Sequence, residues 1–357
     1  MADIAEEIIL DVKDIVIKFN LRGQVLTAIR GTSLDVRKGE TLAIVGESGS
    51  GKSVLTKSFL GMLDKNGWVD SGSILFEGKD LATFRDEKPW LSIRGKKISM
   101  VFQDPMTSLN PLKNVGAQIA EVYALHRGYT AKQATEAAVE ILDRVGIPDA
   151  GKRHRQYPHE FSGGMRQRVV IAIAMACAPR VLICDEPTTA LDVTIQAQIL
   201  DLIRSLQQEY DFTTIYITHD LGVVANVADR VAVMYAGKII ECGSAEEVFY
   251  DPRHPYTWAL LSSLPQLGIK GKPLFSIKGT PPSLFKEIEG DAFAARNPYA
   301  LKIDFLREPP RFQVSPSHWA STWLLDPRAP NVEPPEIIRN LQESRQVQDA
   351  WLSGSKA

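Results

Sequence analysis

From the N-terminal region to about residue 250, short apolar runs alternate with stretches whose apolar residues recur at helical spacing. That alternation is the pattern of an α/β domain. Thr41-Leu42-Ala43-Ile44-Val45 is a short apolar run that ends in a glycine-rich turn, and Val181 to Cys184 and Thr214 to Ile217 are similar runs ending at polar residues. Such runs predict strands buried on both faces of a mostly parallel sheet. Ile195, Ile199, Leu202, Ile203 and Leu206 fall on one helical face, so an amphipathic helix is expected after Asp192. Between about residues 104 and 178 strand signals fade. Thr130 with Gln133 forms a capping-box pattern, and the periodic run to Val145 stops at Gly146 and Pro148. This stretch reads as a helical subdomain inserted into the α/β core. Val231 to Tyr235 and Lys238 to Cys242, around Ala236-Gly237, predict a hairpin. From Asp251 prolines and tryptophans accumulate, with Pro281-Pro282, Pro309-Pro310 and Pro334-Pro335 between short segments. A separate C-terminal extension, poor in regular structure, is expected there.

The chain has 357 residues, enough for two domains or one large domain with an appendage. Its formal charge of -2 leaves no basic footprint and argues against nucleic acid as a partner. Three cysteines, Cys177, Cys184 and Cys242, make no disulfide framework and suit a reducing compartment. The most apolar stretch, Val169 to Ala178, is about half of the roughly 20 residues that cross a bilayer. The acidic start, Met1 to Glu7, predicts no secretory signal. A cytosolic chain is expected, with any membrane role acting through partners.

Gly46-Glu47-Ser48-Gly49-Ser50-Gly51-Lys52-Ser53 matches G-x-x-x-x-G-K-[ST] between a predicted strand and a predicted helix. Glycines let the backbone curl so that successive N–H groups face phosphate oxygens, and the helix that opens at Lys52 and runs on through Val54 adds its positive end. Lys52 is expected to reach the β and γ phosphates and Ser53 to ligate Mg²⁺. Asp185, at the end of a buried strand, is placed to hold Mg²⁺, and Glu186 to polarise the attacking water. Cys184 beside them reads as a small core residue. Ser162-Gly163-Gly164, opening a helix expected over Met165 to Ala178, makes a second anion-binding helix start. One nucleotide does not need two such sites on one chain. The economical solution is that the second loop serves a nucleotide held by another subunit.

With Phe161-Ser162-Gly163-Gly164-Met165 just ahead of the Asp185-Glu186 strand, the chain resembles the ATP-binding-cassette (ABC) ATPases. It departs from their Leu-Ser-Gly-Gly-Gln signature at Phe161 and Met165. The resemblance implies a P-loop NTPase fold with a RecA-like core, an antiparallel β subdomain, the inserted helical subdomain and the extension. It sets the cassette at residues 1–260 and the extension at 261–357. It also implies ATP and Mg²⁺ as ligands. Phe19 lies where the family stacks an aromatic ring on adenine, with a core phenylalanine as the alternative. Gln103 matches the glutamine that links the γ-phosphate and Mg²⁺ to the helical subdomain. Ala190-Leu191-Asp192 resembles the loop that crosses to the partner subunit, and His219 matches the switch histidine at the γ-phosphate.

Tyr157 to Arg168, Asp251 to Thr257 and Gly279 to Leu284 are similar to segments of the oligopeptide/dipeptide importer ATPases, closest to the D-type subunit of Gram-positive permeases. This implies ATP hydrolysis that energises oligopeptide import at the cytoplasmic face of the plasma membrane. The partners implied are a homologous F-type ATPase, two transmembrane permease subunits and an extracellular peptide-binding lipoprotein. The alternatives are an importer of another solute, such as dipeptide or nickel, and a non-transport ABC ATPase acting on nucleic acid or the ribosome. Many members of the family carry four tail cysteines that hold an iron–sulfur cluster. The corresponding positions are Asp291, Asn297, Asp304 and Thr322, none a thiolate, so no cluster is expected. Packing of Phe293, Phe305, Trp319 and Trp323 is expected to stabilise the tail instead.

Overall fold

The computed structural model describes residues 7–189, 191–264, 267 and 276–344. Residues 1–6 and Ala190 of the loop expected to cross to a partner lie outside that set. The strands are β1 (Ile8–Leu21), β2 (Gln24–Arg37), β3 (Thr41–Val45), β4 (Gly67–Phe76), β5 (Lys79–Asp80), β6 (Ile98–Val101), β7 (Val181–Asp185), β8 (Thr213–Thr218), β9 (Arg230–Tyr235), β10 (Lys238–Ser244), β11 (Phe312–Gln313) and β12 (Trp319–Ala320). They form two sheets, ordered β2-β1-β4-β5 and β11-β12-β10-β9-β3-β8-β7-β6.

In the larger sheet β6, β7, β8, β3 and β9 run parallel. Every residue of β3, β7 and β8 is buried, as strands covered on both faces must be. The smaller sheet is antiparallel and packs its apolar side, with Leu10, Val12, Ile15, Ile17 and Ile74, against Leu42, Ile44 and Leu55 of the core. The fold is the expected α/β architecture with an antiparallel β unit beside a parallel core.

Helices Val115–Arg127, Ala131–Arg144 and Gly163–Met175 fill the segment where helical signals dominate. Thr130 and Gln133 cap the second of these reciprocally. The third starts two residues earlier than its apolar pattern suggests, because Ser162 supplies the N-cap and both glycines fit the first turn. That helix also lies against β6, so it ties the insertion to the core.

The tail is poor in regular structure, as expected, but it is not separate. Strand β12 pairs with β10 and β11 with β12, which extends the central sheet. The carbonyl of Leu284 accepts a hydrogen bond from Thr27 of β2. Sequence reasoning missed this because two-residue strands carry no periodicity. Of the four tail aromatics, Phe293 is buried, whereas Phe305 is 54% exposed and does not pack as expected. Trp319 lies under Arg311, 4.1 Å from the guanidinium to the ring centroid, and Trp323 meets Phe312 edge-on.

Candidate functional site

Strands β3, β7 and β8 end side by side, and the turns that follow them bring together most of the residues singled out above. The glycine-rich loop leaves β3 at Gly46, where a Cβ would sit 2.1 Å from the Met234 carbonyl oxygen. Only glycine allows that approach. Gly51 opens the helix Lys52–Ser58 from a left-handed conformation. Ser48 and Gly49 are exposed on the outer rim and Ser50 is buried. Val54 lies in the first turn and packs against the core.

The Lys52 ammonium is buried within the loop and donates to the carbonyls of Gly46 and Glu47 at 2.7 and 2.9 Å. Burial lowers its pKa, against the opposing pull of Glu186, Asp185 and Glu47. Ser53 Oγ donates to Asp185 Oδ1 at 3.0 Å, which joins the phosphate loop to the end of β7. Burial raises the Asp185 pKa and the Ser53 bond opposes it. This hydroxyl–carboxylate pair is a hard oxygen donor set, the kind Mg²⁺ takes together with nucleotide phosphates.

Glu186 has a left-handed backbone, φ +47°, a conformation unusual for a side-chain-bearing residue and often found at functional turns. Its N–H is anchored on the Ile217 carbonyl. Its carboxylate accepts from Gln103 Nε2 at 2.9 Å and from Thr189 Oγ1 at 2.9 Å, and stands 3.0 Å from His219 Nδ1. Partial burial would raise its pKa, but the bonds from His219 and Thr189 outweigh that and hold it below the ordinary carboxylate value. Gln103 and His219 are exposed. The structure therefore gathers these residues at the strand ends in two hydrogen-bonded groups, Ser53 with Asp185 and Gln103 with Glu186 and His219, while Lys52 is held by the loop carbonyls. Thr189 is a member of the second group that sequence reasoning missed, although it lies three residues beyond Glu186.

Ser162, Gly163 and Gly164 stand apart. Ser162 and Gly163 are exposed, and the Ser162 hydroxyl accepts from Met165 N. Among the described residues no hydrogen bond joins them to Gly46–Ser53. They lie instead beside Leu191 and Ile195, and Asp192 caps the helix Val193–Tyr210. Phe19 is 8% exposed, with its ring against Gly67 inside the apolar cluster of the smaller sheet. This packing is that of the core phenylalanine weighed above as the alternative to adenine stacking.

At the four tail positions, Asp291, Asn297, Asp304 and Thr322 are all buried. Each accepts a backbone N–H, from Phe293, Tyr299, Leu301 and Leu324 respectively. Oxygen caps of this kind do not fit an iron–sulfur cluster, which needs thiolates.

A family model described as "ABC transporter" matches residues 29–189, and one described as "Oligopeptide/dipeptide transporter, C-terminal region" matches residues 240–303. The oligopeptide transport ATP-binding protein AmiE of Streptococcus pneumoniae is 62% identical over 95% of both chains. The chain belongs to the ATP-binding proteins of ABC transporters, oligopeptide/dipeptide type. The oligopeptide transport ATP-binding protein OppD of Bacillus subtilis is 58% identical over 93% of both chains. Among solved structures, the ABC cassette MJ0796, determined as a dimer in a post-hydrolysis state with ADP and Pi, aligns with a TM-score of 0.59 at 25% identity. That match covers 66% of this chain and 98% of MJ0796. Membership in this transporter family accounts for a cassette-sized core followed by a C-terminal region with its own family match. No helix among the described residues is long and apolar enough to cross a membrane.

Proposed function

We propose that the chain is the ATP-hydrolysing subunit that energises oligopeptide import, seated peripherally on the cytoplasmic face of the plasma membrane. It pairs with a homologous F-type ATPase beneath two transmembrane permease subunits, which an extracellular peptide-binding lipoprotein supplies. The observation that carries this reading is the division of phosphate-binding elements. One chain owns Gly46–Ser53 with its catalytic carboxylate and, apart from them, an exposed Ser162-Gly163-Gly164 helix start. Each is half of a composite site, so two cassettes sandwich two nucleotides. The dimeric MJ0796 cassette with ADP and Pi supports this arrangement, and the high identity to AmiE and OppD supports oligopeptide as the cargo.

The backbone of Gly46–Ser53 and the Lys52 ammonium hold phosphate oxygens, while Asp192 and the Ser162 loop face the partner's nucleotide. Ser53, Asp185 and Gln103 would hold Mg²⁺, whose charge offsets that of the phosphates. Glu186, ionised and fixed by Thr189 and His219, orients water and accepts its proton. Gln103, at the start of the helical insertion, reports the state of Glu186 to the permeases. A two-state element biased by γ-phosphate contacts is what such coupling requires. The tail carries no iron–sulfur cluster.

The test is uptake of a labelled oligopeptide into ATP-loaded vesicles that contain both ATPases, both permeases and the binding lipoprotein. Uptake is expected to need ATP and to stop with Lys52→Ala. Uptake that persists with Lys52→Ala overturns the reading, as does full-speed hydrolysis by a strict monomer. Iron and sulfide assays on anaerobically purified protein are expected to be blank, and a stoichiometric signal overturns the tail assignment.

A further inference from the structure

The phosphate loop is gripped by a residue 249 positions away in the C-terminal region. Arg296 places a two-pronged guanidinium on the Glu47 carboxylate, Nη1 to Oε2 at 2.8 Å and Nη2 to Oε1 at 3.0 Å. Parallel double hydrogen bonding of this type is the strongest form of the arginine–carboxylate pair. The Arg296 side chain is 6% exposed and Glu47 25%, so the pair is largely desolvated. Arg296 also donates to the Tyr235 hydroxyl at 3.1 Å and, through Nε, to the Lys278 carbonyl at 3.1 Å.

Glu47 is held at its other two polar groups as well. Its N–H donates to the hydroxyl of fully buried Tyr256 at 2.8 Å. Its carbonyl accepts from the Lys52 ammonium at 2.9 Å. Tyr256, Tyr235 and Phe293 form one aromatic cluster, with centroids 4.6 and 5.3 Å apart. The turn that carries Arg296 is fixed on both sides by the buried caps Asp291 and Asn297. Arg296 and Tyr256 both fall within the C-terminal family match.

From this geometry we infer that Arg296 is a positioning residue for ATP, which keeps the Glu47 carboxylate turned away from and neutralised beside the phosphate site. This rests on the ATPase reading above and names how the C-terminal region bears on that site. Glu47 belongs to the loop that must hold a polyanion, and its carbonyl lies against the ammonium that contacts the phosphates. A carboxylate released there repels the incoming phosphates and competes with them for Lys52. Breaking a buried pair by removing one partner leaves the other charge uncompensated, which is the costly case.

The experiment measures equilibrium binding of Mg–ATP to the full chain, with thermal melting in parallel. The variants are Arg296→Gln, Arg296→Lys, Glu47→Gln and the Arg296→Gln/Glu47→Gln double variant. Arg296→Gln is expected to weaken ATP binding about tenfold or more. Arg296→Lys, which keeps the charge and loses the fork, is expected to fall between. On the Glu47→Gln background, Arg296→Gln should cost little further affinity, since no carboxylate remains to be released. A purely structural role for Arg296 predicts equal losses on both backgrounds, and that result overturns the inference. Unchanged ATP affinity in Arg296→Gln overturns it too. Failure of the unmodified chain to bind ATP sinks the ATPase reading itself.

Discussion

Glu186 and His219 meet across the ends of two neighbouring parallel strands, carboxylate Oε1 3.0 Å from imidazole Nδ1. Because β7 and β8 pair in parallel register, the turns that follow them open on the same edge of the sheet, where α/β folds place their ligands. The same carboxylate is bonded by Gln103 and Thr189, so its orientation is fixed from three sides. Glu186→Gln keeps the size and removes the charge. Turnover in the assembled transporter is expected to fall by about 10² to 10⁴, the range for losing a positioned general base. Equilibrium ATP binding should stay close to that of the unmodified chain, and paired cassettes should accumulate on size-exclusion chromatography with ATP. Normal turnover removes Glu186 from the base role. Since its pKa is held below the ordinary carboxylate value, the Glu186 carboxylate stays ionised through the neutral range.

Gly46 and Gly49 lie in the same loop but differ in what surrounds them. A Cβ at Gly46 meets the Met234 carbonyl oxygen at 2.1 Å, a backbone atom of the neighbouring strand, whereas nothing lies within 4 Å of a Cβ at Gly49. Gly46→Ala must push the loop off β9 and is expected to reduce ATP affinity at least tenfold. Gly49→Ala keeps a positive φ without a clash and should cost only about 1–2 kcal/mol of backbone strain. Comparable affinities for the two variants in a calorimetric titration contradict this account.

The parallel strands, the capped helices and the Lys52–Ser53 motif were legible because each has a local cause, whereas Gln103 and His219 came only through the family resemblance. Leu42–Val45 is apolar throughout, Thr130 and Gln133 are three residues apart, and Lys52 stands in a fixed motif. Residues joined only by folding were not. Nothing near Arg296 in the chain points to Glu47, and Thr189 shows its role only once Glu186 turns back in the left-handed conformation. Phe305 misled because an aromatic residue in a proline-rich tail reads as core, yet the short turn Lys302–Phe305 leaves it facing water.

Gly164 tests the division of the site between chains. A Cβ there would sit 2.7 Å from Ile195 Cγ2, so alanine disturbs this helix start and the first turn of Val193–Tyr210 against it. No hydrogen bond among the described residues links this region to Gly46–Ser53. Gly164→Ala is therefore expected to lower turnover of the assembled complex about tenfold or more, while ATP affinity of the isolated chain changes far less. Equal losses in both measurements would show that the loop acts within its own chain.

Asp291 gives the tail a pH dependence. Burial, with the charges of Asp304 and Glu308 adding to it, pushes its pKa up to about 7, against the Phe293 N–H bond and Arg30. In the unfolded chain the group titrates near 3.9. Between those values the folded state binds more protons than the unfolded one, so stability falls as pH rises from about 4 to about 7 and then levels off. Asp291→Asn keeps an oxygen to accept from Phe293 N–H and removes the titration. Its stability advantage over the unmodified chain is expected to grow from pH 5 to about pH 7.5. The gain should reach a plateau on the order of 2–4 kcal/mol, as read from urea unfolding at a series of pH values. A constant difference across that range would mean that Asp291 does not titrate there, and that the buried turn holding Arg296 tolerates a charge the geometry says it should not.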